Sequence, residues 1–255
     1  MSKIGVNADT MKREALKILA IIPARGGSQG VLRKNIRILA GRPLIAYTIK
    51  AALGSTYHPR VIVSTDDRRI AEIAKGLGAE IPFIRPPQLA QNNTPMLPVI
   101  QHTIGYLKRD GYIPDIIAIL QPTSPLRTSE HIDQAISLLL DTGADSVVSL
   151  CEAEHSPYWM KKIDEAGRVI PFLDTGEEYH RRQDLPKVYR LNGAIFITRS
   201  DIIMKENRLL GDDTRAYIMK PEDSIDIDTE LDFKIAELIM KERTSPACEG
   251  GSCDE

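Results

Sequence analysis

Five short apolar runs are spaced along the chain, and amphipathic stretches separate them. The runs cover residues 18–23, 61–65, 116–120, 146–150 and 194–198. None alternates apolar with polar residues, which is the pattern of strands covered by helices on both faces. The intervening stretches predict helices over residues 43–53, 67–77, 97–108, 129–141 and about 230–241. This alternation predicts an α/β protein with a three-layer, mostly parallel sheet.

One stretch, residues 156–190, breaks this rhythm. It holds five of the chain's 13 aromatic residues and a dense cluster of basic residues. We interpret it as an insertion with its own short strands, whose exposed aromatic side chains need a partner surface. The main domain is predicted to span residues 17–243, and residues 244–255 are predicted to form a disordered tail.

Composition narrows the class of protein. The 255 residues include 33 basic and 35 acidic side chains, which give a formal net charge of −2. This balance argues against a dedicated nucleic-acid or membrane-surface binder, so local charge must hold any anionic ligand. No apolar run approaches about 18 residues, and the first residues lack the apolar core of a signal peptide. Three scattered cysteines do not form a disulfide framework. We therefore expect a soluble, cytoplasmic protein with no membrane span.

A glycine-rich segment directly follows the first predicted strand. It reads PARGGSQG over residues 23–30 and leads to Arg33, Lys34 and Asn35. Glycines allow a tight turn that aims several N–H groups at one point, which suits phosphate oxygens. The spacing matches neither the Walker A loop nor the dinucleotide fingerprint, and a plain strand-to-helix connection would also explain the turn. However, residues 18–65 contain seven basic residues and no Asp or Glu, which favours a polyphosphate ligand.

A pair of aspartates, Asp226 and Asp228, provides the second chemical signal. In an extended strand, residues two apart share a face, so both carboxylates would point together while the neighbouring isoleucines enter the core. Thr229 and Asp232 match a capping box for the last helix. The alternative is a solvated strand end followed by a helix cap, which would explain Thr229 and Asp232. It would not explain two carboxylates on one face, because like charges repel unless a cation lies between them. Beside a phosphate loop, this pair predicts Mg²⁺ and nucleotidyl transfer.

Six segments follow one another over about residues 17–242. They are IIPARGGSQGVLRKN, STDD, RPPQLA, LQPTSPLR, RLNGAIFI and DSIDIDTELD. In this order they resemble the acylneuraminate cytidylyltransferase family, the CMP-nonulosonic (sialic-type) acid synthetases. The resemblance implies a GT-A-like fold, a homodimer to which the insertion contributes, and Mg²⁺-dependent transfer from CTP to a nonulosonic acid with release of pyrophosphate. The alternatives are a related nucleotidyltransferase with another acceptor and a non-catalytic nucleotide-binding protein.

The resemblance also implies roles for individual residues. Those assigned to the triphosphate and the nucleotide are Arg25, Gly26, Gly27, Ser28, Lys34, Asn35 and Arg85. Those assigned to the substrate sugar or its surroundings are Gln121, Arg182, Asn192 and Phe196. The metal ligands would be Asp226 and Asp228, which together with Arg25 and Lys34 form the predicted catalytic set. The anomeric hydroxyl of the sugar would attack the α-phosphorus in line, and no residue is predicted to act as the base.

Four positions depart from the family pattern. Gln29 stands where many members have Lys, Leu32 where Pro is frequent, Asn92 where Asp is common, and Phe196 where some members have Tyr. Gln29 removes one positive charge from the phosphate loop, and Phe196 bears on the choice of sugar. The choice among sialic, legionaminic and pseudaminic acids stays open at this point.

Overall fold

The structure is a computed structural model that describes residues 16–27, 30–173, 179 and 181–244. Its strands are β1 (Ile18–Pro23), β2 (Ile38–Leu39), β3 (Arg42–Pro43), β4 (Arg60–Ser64), β5 (Ile116–Ile119), β6 (Ser146–Glu152), β7 (Lys161–Ile163), β8 (Val169–Pro171), β9 (Tyr189–Arg199) and β10 (Thr214–Ile218). Its α-helices are α1 (Leu44–Leu53), α2 (Arg68–Gly76), α3 (Met96–Arg109), α4 (Ser129–Thr142), α5 (Ser200–Met204) and α6 (Glu230–Thr244). Ser28, Gln29 and almost all of the predicted tail (residues 245–255) lie outside the described residues.

Six strands form the central sheet, in the spatial order β10–β6–β9–β5–β1–β4. Five of them run in one direction, and β9 lies antiparallel between β5 and β6. This arrangement confirms the predicted mostly parallel sheet. The carboxyl ends of the five parallel strands meet the start of β9 along one side, here called the C-terminal edge, opposite the N-terminal edge. Ligands of open α/β sheets bind at such a C-terminal edge.

Helices cover both faces of this sheet. On one face, Ile49 of α1 and Ile136 of α4 belong to the same buried cluster as Ala20 of β1. On the other face, Ile104 of α3 belongs to a second buried cluster with Ile21 of β1. The two-sided burial explains why the strand sequences are continuously apolar, and it confirms the three layers. Among the helices that the structure describes, none has the length and apolarity needed to cross a membrane.

The five predicted helices form within three residues of their predicted bounds, and two of them show clear end signals. Gly143 follows α4 with φ 71°, a left-handed conformation that glycine adopts without strain. Thr229 and Asp232 form the predicted capping box of α6: the Thr229 N–H donates to Asp232 Oδ2 at 2.7 Å, and the Asp232 N–H donates back to Thr229 Oγ1 at 3.3 Å. The sequence did not predict β10 or α5. It also placed the start of β9 five residues too late, because residues 189–193 are largely polar.

The predicted insertion forms a small lobe at the C-terminal edge between β6 and β9. Within it β7 pairs antiparallel with β8, which confirms that the insertion has short strands of its own. Large apolar side chains lie on its surface: Ile163 is 74% exposed, Val169 68%, Phe172 46% and Trp159 44%. A cluster of exposed apolar residues on one lobe is typical of an interaction surface.

Candidate active site

Three segments meet at the C-terminal edge: the loop after β1, the segment of residues 120–127 after β5, and the stretch of residues 224–229 before α6. Backbone and side-chain hydrogen bonds join them. The Ile227 N–H donates to the Thr123 carbonyl at 2.8 Å, and Lys34 Nζ donates to the Ile227 carbonyl at 2.5 Å. The sheet topology therefore brings the glycine loop and the aspartate segment together, although about 190 residues separate them in the chain.

The glycine loop is held by close contacts on both sides. Asp66, which follows β4, accepts the Gly26 N–H at 2.9 Å. Its neighbour Asp67 caps α2, because its side chain accepts the first N–H groups of that helix. A Cβ atom on Gly30 would lie only 2.0 Å from the backbone oxygen of Asp228, so this position requires glycine. The exposed backbone of Gly27 lies between these two anchors.

Arg25 lies at the start of the glycine loop. Its Nη1 donates to Asn92 Oδ1 at 2.7 Å, so this guanidinium has a neutral partner rather than a carboxylate. The Asn35 side chain is buried and donates to the Arg25 carbonyl at 2.9 Å. This bond holds the backbone of the loop at Arg25.

The aspartate segment differs from its prediction. Residues 225–228 are not a strand, because the Ile227 N–H bonds the Thr123 carbonyl instead of a strand partner. Ile227 is fully buried, as expected, but the two carboxylates take different positions. Asp226 is half-buried, whereas the Asp228 side chain is 75% exposed and its Oδ1 lies 3.0 Å from Lys34 Nζ. The expectation of a strand over these residues is therefore wrong, although the two carboxylates are close enough for the Asp228 charge to raise the pKa of Asp226.

Asp226 carries the most unusual polar group of the site. Its Oδ1 is buried without a hydrogen-bond partner, and the same holds for the nearby Thr123 hydroxyl, with no hydrogen bond of normal geometry between the two. Burial raises the pKa of Asp226, and the Asp228 carboxylate raises it further, although Thr123, Lys34 and Arg190 oppose the shift. An unpaired buried carboxylate is costly. A divalent cation with oxygen ligands would remove that cost.

The donor set at Asp226 fits Mg²⁺. In the part of the chain that the structure describes, no three acidic, histidine or cysteine side chains converge to hold a metal by themselves. Mg²⁺ does not need such a cage, because it usually binds one or two carboxylates and takes its other ligands from substrate phosphates and water. Asp226 alone, or Asp226 with Asp228, therefore satisfies the protein's share of such a site.

Gln121, the predicted sugar contact, lies beside Asp226. An ideal Cβ on Gly193 would lie 3.3 Å from Gln121 Oε1 and 3.2 Å from Asp226 Oδ2. Gly193 has φ 71° and lies where the pairing between β6 and β9 shifts register. This glycine therefore allows the bulge and leaves space between the two side chains.

Two other predicted sugar residues lie within the protein body. Asn192 is fully buried: its Nδ2 donates to Ser224 Oγ at 3.0 Å, and its Oδ1 accepts from Ser149 Oγ at 2.6 Å. Phe196 is half-buried and pairs with Ile119, the last residue of β5. Neither residue is exposed, and Phe196 packs against the core on the face of the sheet that α3 covers.

The predicted arginines outside the loop lie in different surroundings. Arg85 is 4% exposed and donates to both the hydroxyl and the carbonyl of Ser64, at the end of β4. Burial lowers its pKa to about 10, and the Arg25 charge contributes to that shift. Arg182 lies in the insertion, where it lines a cavity of about 510 Å³ with Trp159.

Arg127 and Arg190 belong to the site, but no role was predicted for either. Arg190 is half-buried at the start of β9, is close enough to Asp226 to lower its pKa, and donates to the Ser224 carbonyl at 3.4 Å. Arg127 ends the segment after β5 and is buried. Their membership in the motifs LQPTSPLR and RLNGAIFI was the only signal that could have found them.

The protein has an α/β fold and combines a basic glycine loop with a carboxylate suited to a divalent metal. This combination is typical of nucleotidyltransferases. The model of the cytidylyltransferase family matches residues 19–222, and the chain therefore belongs to this family of enzymes. The family predicted from the six motifs is confirmed.

Individual relatives narrow the comparison. The chain is 35% identical over 228 residues to the CMP-N,N′-diacetyllegionaminic acid synthase of Legionella pneumophila, covering 89% of this chain and 97% of that protein. It is 31% identical to the pseudaminic acid cytidylyltransferase of Campylobacter jejuni, with coverages of 89% and 97%. It is 35% identical to the N-acylneuraminate cytidylyltransferase of Escherichia coli, covering 89% of this chain but 53% of that protein.

The structure of a CMP:2-keto-3-deoxy-manno-octonic acid synthetase complexed with CTP superimposes with a TM-score of 0.66. The match covers 89% of this chain and 99% of that one at 16% sequence identity. At this identity the likeness shows the fold alone. It agrees with the nucleotidyltransferase fold that the motifs implied.

Proposed function

We propose that the protein transfers the CMP group of CTP to the anomeric oxygen of a nonulosonic acid, with Mg²⁺, giving a CMP-sugar and pyrophosphate. Family membership supports the cytidylyl donor, and relatives named after legionaminic, pseudaminic and acylneuraminic acids support the acceptor class. One observation carries the proposal. The carboxylate of Asp226, whose Oδ1 is buried without a well-formed hydrogen bond, and the amide of Gln121 converge around Gly193, at the same edge as the glycine loop.

The triphosphate would lie along the glycine loop. Arg25 and Lys34 would neutralise phosphate oxygens, and the backbone of Gly26 and Gly27 would face the same ligand. Ser28 lies outside the described residues, and the family resemblance alone implies that it would be a further ligand of the triphosphate. Arg85 would hold the end of β4 in place through its bonds to Ser64, and this strand end would contact the nucleotide.

Asp226 would hold Mg²⁺ together with phosphate oxygens and water. Asp228 would join it when Lys34 exchanges its present carboxylate partner for the triphosphate. When bound, the metal supplies positive charge that makes the α-phosphorus more electrophilic. Gln121 would orient the sugar, Asn192 and Phe196 would support it from below, and Arg182 would approach from the insertion.

The reaction is a single in-line displacement at the α-phosphorus. The anomeric oxygen forms a new O–P bond, and the bond from the α-phosphorus to the oxygen that bridges to the β-phosphorus breaks. Pyrophosphate leaves with that oxygen and its electron pair, and the hydroxyl proton passes to solvent. Arg25 and Lys34 stabilise the negative charge that grows on the phosphate oxygens during this step.

Pyrophosphate release tests the proposal. The protein would be assayed with CTP and Mg²⁺ against N-acetylneuraminic, N,N′-diacetyllegionaminic and pseudaminic acids, an eight-carbon 2-keto-3-deoxy sugar acid, and sugar 1-phosphates. We expect release with one nonulosonic acid, and its loss when a chelator removes the metal. Release only with a sugar 1-phosphate or with the eight-carbon acid would assign another acceptor. No release from folded protein that binds CTP would overturn the proposal.

We further propose that the enzyme acts as a homodimer in the cytoplasm, where CTP is made, and that the insertion forms the contact. The exposed apolar side chains of the β7–β8 hairpin support this surface. Sedimentation of the wild type is expected to give twice the chain mass, and Ile163→Asp is expected to give the monomer. Ile113→Asp is the control, because Ile113 is 58% exposed and lies outside the insertion. A monomeric wild type would contradict the proposal.

A further inference from the structure

Arg127 lies in surroundings that do not suit a charged side chain. It is 3% exposed, and no carboxylate in the described part of the chain forms an ion pair with it. Its Nε also has no hydrogen-bond partner. Burial lowers the pKa of Arg127 to about 9, so the side chain is still positively charged at neutral pH. The cost of burying this charge is offset only by the hydrogen bonds that its guanidinium donates.

The hydrogen bonds of Arg127 converge on the ends of two strands. Nη1 donates to the Ala194 carbonyl at 2.6 Å and to the Gln121 carbonyl at 3.2 Å. Nη2 donates to Thr48 Oγ1 at 2.6 Å. Regular pairing between β5 and β9 ends at Ile119, just before Gln121. The guanidinium therefore joins β5 to β9 at the point where the backbone ladder no longer does.

The same two strand ends carry the acceptor side of the proposed site. Gln121 projects its amide next to Gly193, the neighbour of Ala194, and Asp226 Oδ2 lies against the same glycine. In the proposed site, the distance between Gln121 and Gly193 would limit the space available to the acid acceptor beside Asp226. We infer that Arg127 is a positioning residue that holds Gln121 and Gly193 at the spacing which the acid acceptor requires. This inference rests on the proposed function.

The test compares variants of two arginines with similar bonding. Arg199 also donates to backbone carbonyls, from Nε to Ala144 at 2.9 Å and from Nη2 to Gly143 at 3.3 Å. It pairs with Ile116 at the N-terminal edge, at the other end of β9. Arg199→Met is thus a matched control, which removes carbonyl bonds without touching the site.

We expect Arg127→Met to lower kcat/KM for the nonulosonic acid about a hundredfold, because small displacements of a substrate-orienting group have effects of this size. CTP binding, measured by calorimetry, should stay within about twofold of the wild type, because the hydrogen bonds of Arg127 in the described chain go to Thr48, Gln121 and Ala194 and not to the glycine loop. Arg127→Lys keeps the charge but not the planar fork, and we expect it to recover only part of the loss. Arg199→Met should lower the melting temperature and leave the KM for the acid unchanged.

Opposite results would overturn the inference. An unchanged kcat/KM for the acid in a folded Arg127→Met protein, or an equal loss for acid and CTP, would reduce Arg127 to a packing role. If this variant does not fold, Thr48→Val is a smaller change that removes only the acceptor of Nη2. An unchanged KM for the acid in Thr48→Val would then overturn the inference. A wild type that releases no pyrophosphate with any acid would overturn the proposed function, and the inference with it. An active wild type with insensitive variants overturns the inference alone.

Discussion

The two edges of the central sheet differ in how their polar groups are paired. At the N-terminal edge, Arg60 forms a bidentate salt bridge with Glu80, with N···O distances of 2.9 and 2.7 Å. At the same edge, Asp115 accepts the Lys17 N–H at 2.8 Å. At the C-terminal edge, buried atoms of three side chains have no partner: Thr123 Oγ1, Arg127 Nε and Asp226 Oδ1. They are three of the four such atoms in the part of the chain that the structure describes.

Both edges belong to one sheet with one backbone ladder, so the contrast comes from the side chains. A buried polar atom without a partner costs free energy, and proteins keep few of them. Where they concentrate, the fold has given up local stability for a ligand that supplies the missing partner. The contrast supports the proposal that the C-terminal edge is the functional surface, and this proposal can be tested residue by residue.

The largest expected effect comes from Asp226→Asn. The amide keeps the shape of the side chain but cannot hold a divalent cation, so turnover measured as pyrophosphate release should fall about a thousandfold or more. Asp115→Asn at the opposite edge is the matched control: it removes the same charge and should leave turnover unchanged while lowering stability. Full turnover in Asp226→Asn would show that the metal is not held there.

The same variant makes a prediction about pH and stability. Burial raises the pKa of Asp226 in the folded state above its value in the unfolded chain. The folded state therefore binds this proton more tightly, and its stability falls as the pH rises above the ordinary aspartate pKa. With a chelator present, Asp226→Asn should melt at a higher temperature than the wild type at pH 7. The difference should disappear at acidic pH, where the carboxyl is protonated in both states. A melting temperature of Asp226→Asn below that of the wild type at pH 7 would contradict the prediction that the buried Asp226 carboxylate destabilises the folded state.

A smaller effect is expected from Lys34→Met. Lys34 is the cation that links the glycine loop to the aspartate segment, and it would turn from Asp228 to the triphosphate. We expect kcat/KM for CTP to fall about a hundredfold, with partial recovery in Lys34→Arg. Arg60→Met breaks an ion pair at the opposite edge, and it should cost at most about 1 kcal/mol of stability without changing kcat. An unchanged KM and kcat for CTP in Lys34→Met would remove Lys34 from the site.

The fold was largely predictable from the sequence because each strand buried on both faces is a continuous apolar run. β1 is the clearest case, with five of its six residues buried. The first half of β9 escaped prediction because it is polar and Gly193 interrupts it, and its pairing with β6 is a tertiary contact. β10 is the outermost strand of the sheet, and none of its five residues (TRAYI) is buried, so it lacks the continuous apolar run that marks the other strands.

The sequence could predict which chain segments meet at the site, because the topology of the sheet determines this, but it could not predict the detailed contacts. Loops after parallel strands meet at one edge, so the segments that carry Lys34, Gln121 and Asp226 could be placed together. The non-strand conformation of residues 225–228 depends on a hydrogen bond between Ile227 and Thr123, across about 100 residues of chain. No local pattern contains such a contact. The same holds for Asn192, whose amide joins Ser149 and Ser224 beneath the site.

The smallest expected effect concerns Asn92, which bonds Arg25 as a neutral partner. In Asn92→Asp the carboxylate would pair with the guanidinium and withdraw part of its charge from the triphosphate. Since an exposed ion pair is worth less than about 1 kcal/mol, the KM for CTP should rise about threefold, and the difference should shrink at high salt. Asn93→Asp is the control, because it adds the same charge one residue further along the chain. Equal effects of the two variants would mean that general charge, rather than the contact with Arg25, is responsible. A larger effect at position 92 would show that CTP binding at the C-terminal edge requires an Arg25 side chain that is not paired with a carboxylate.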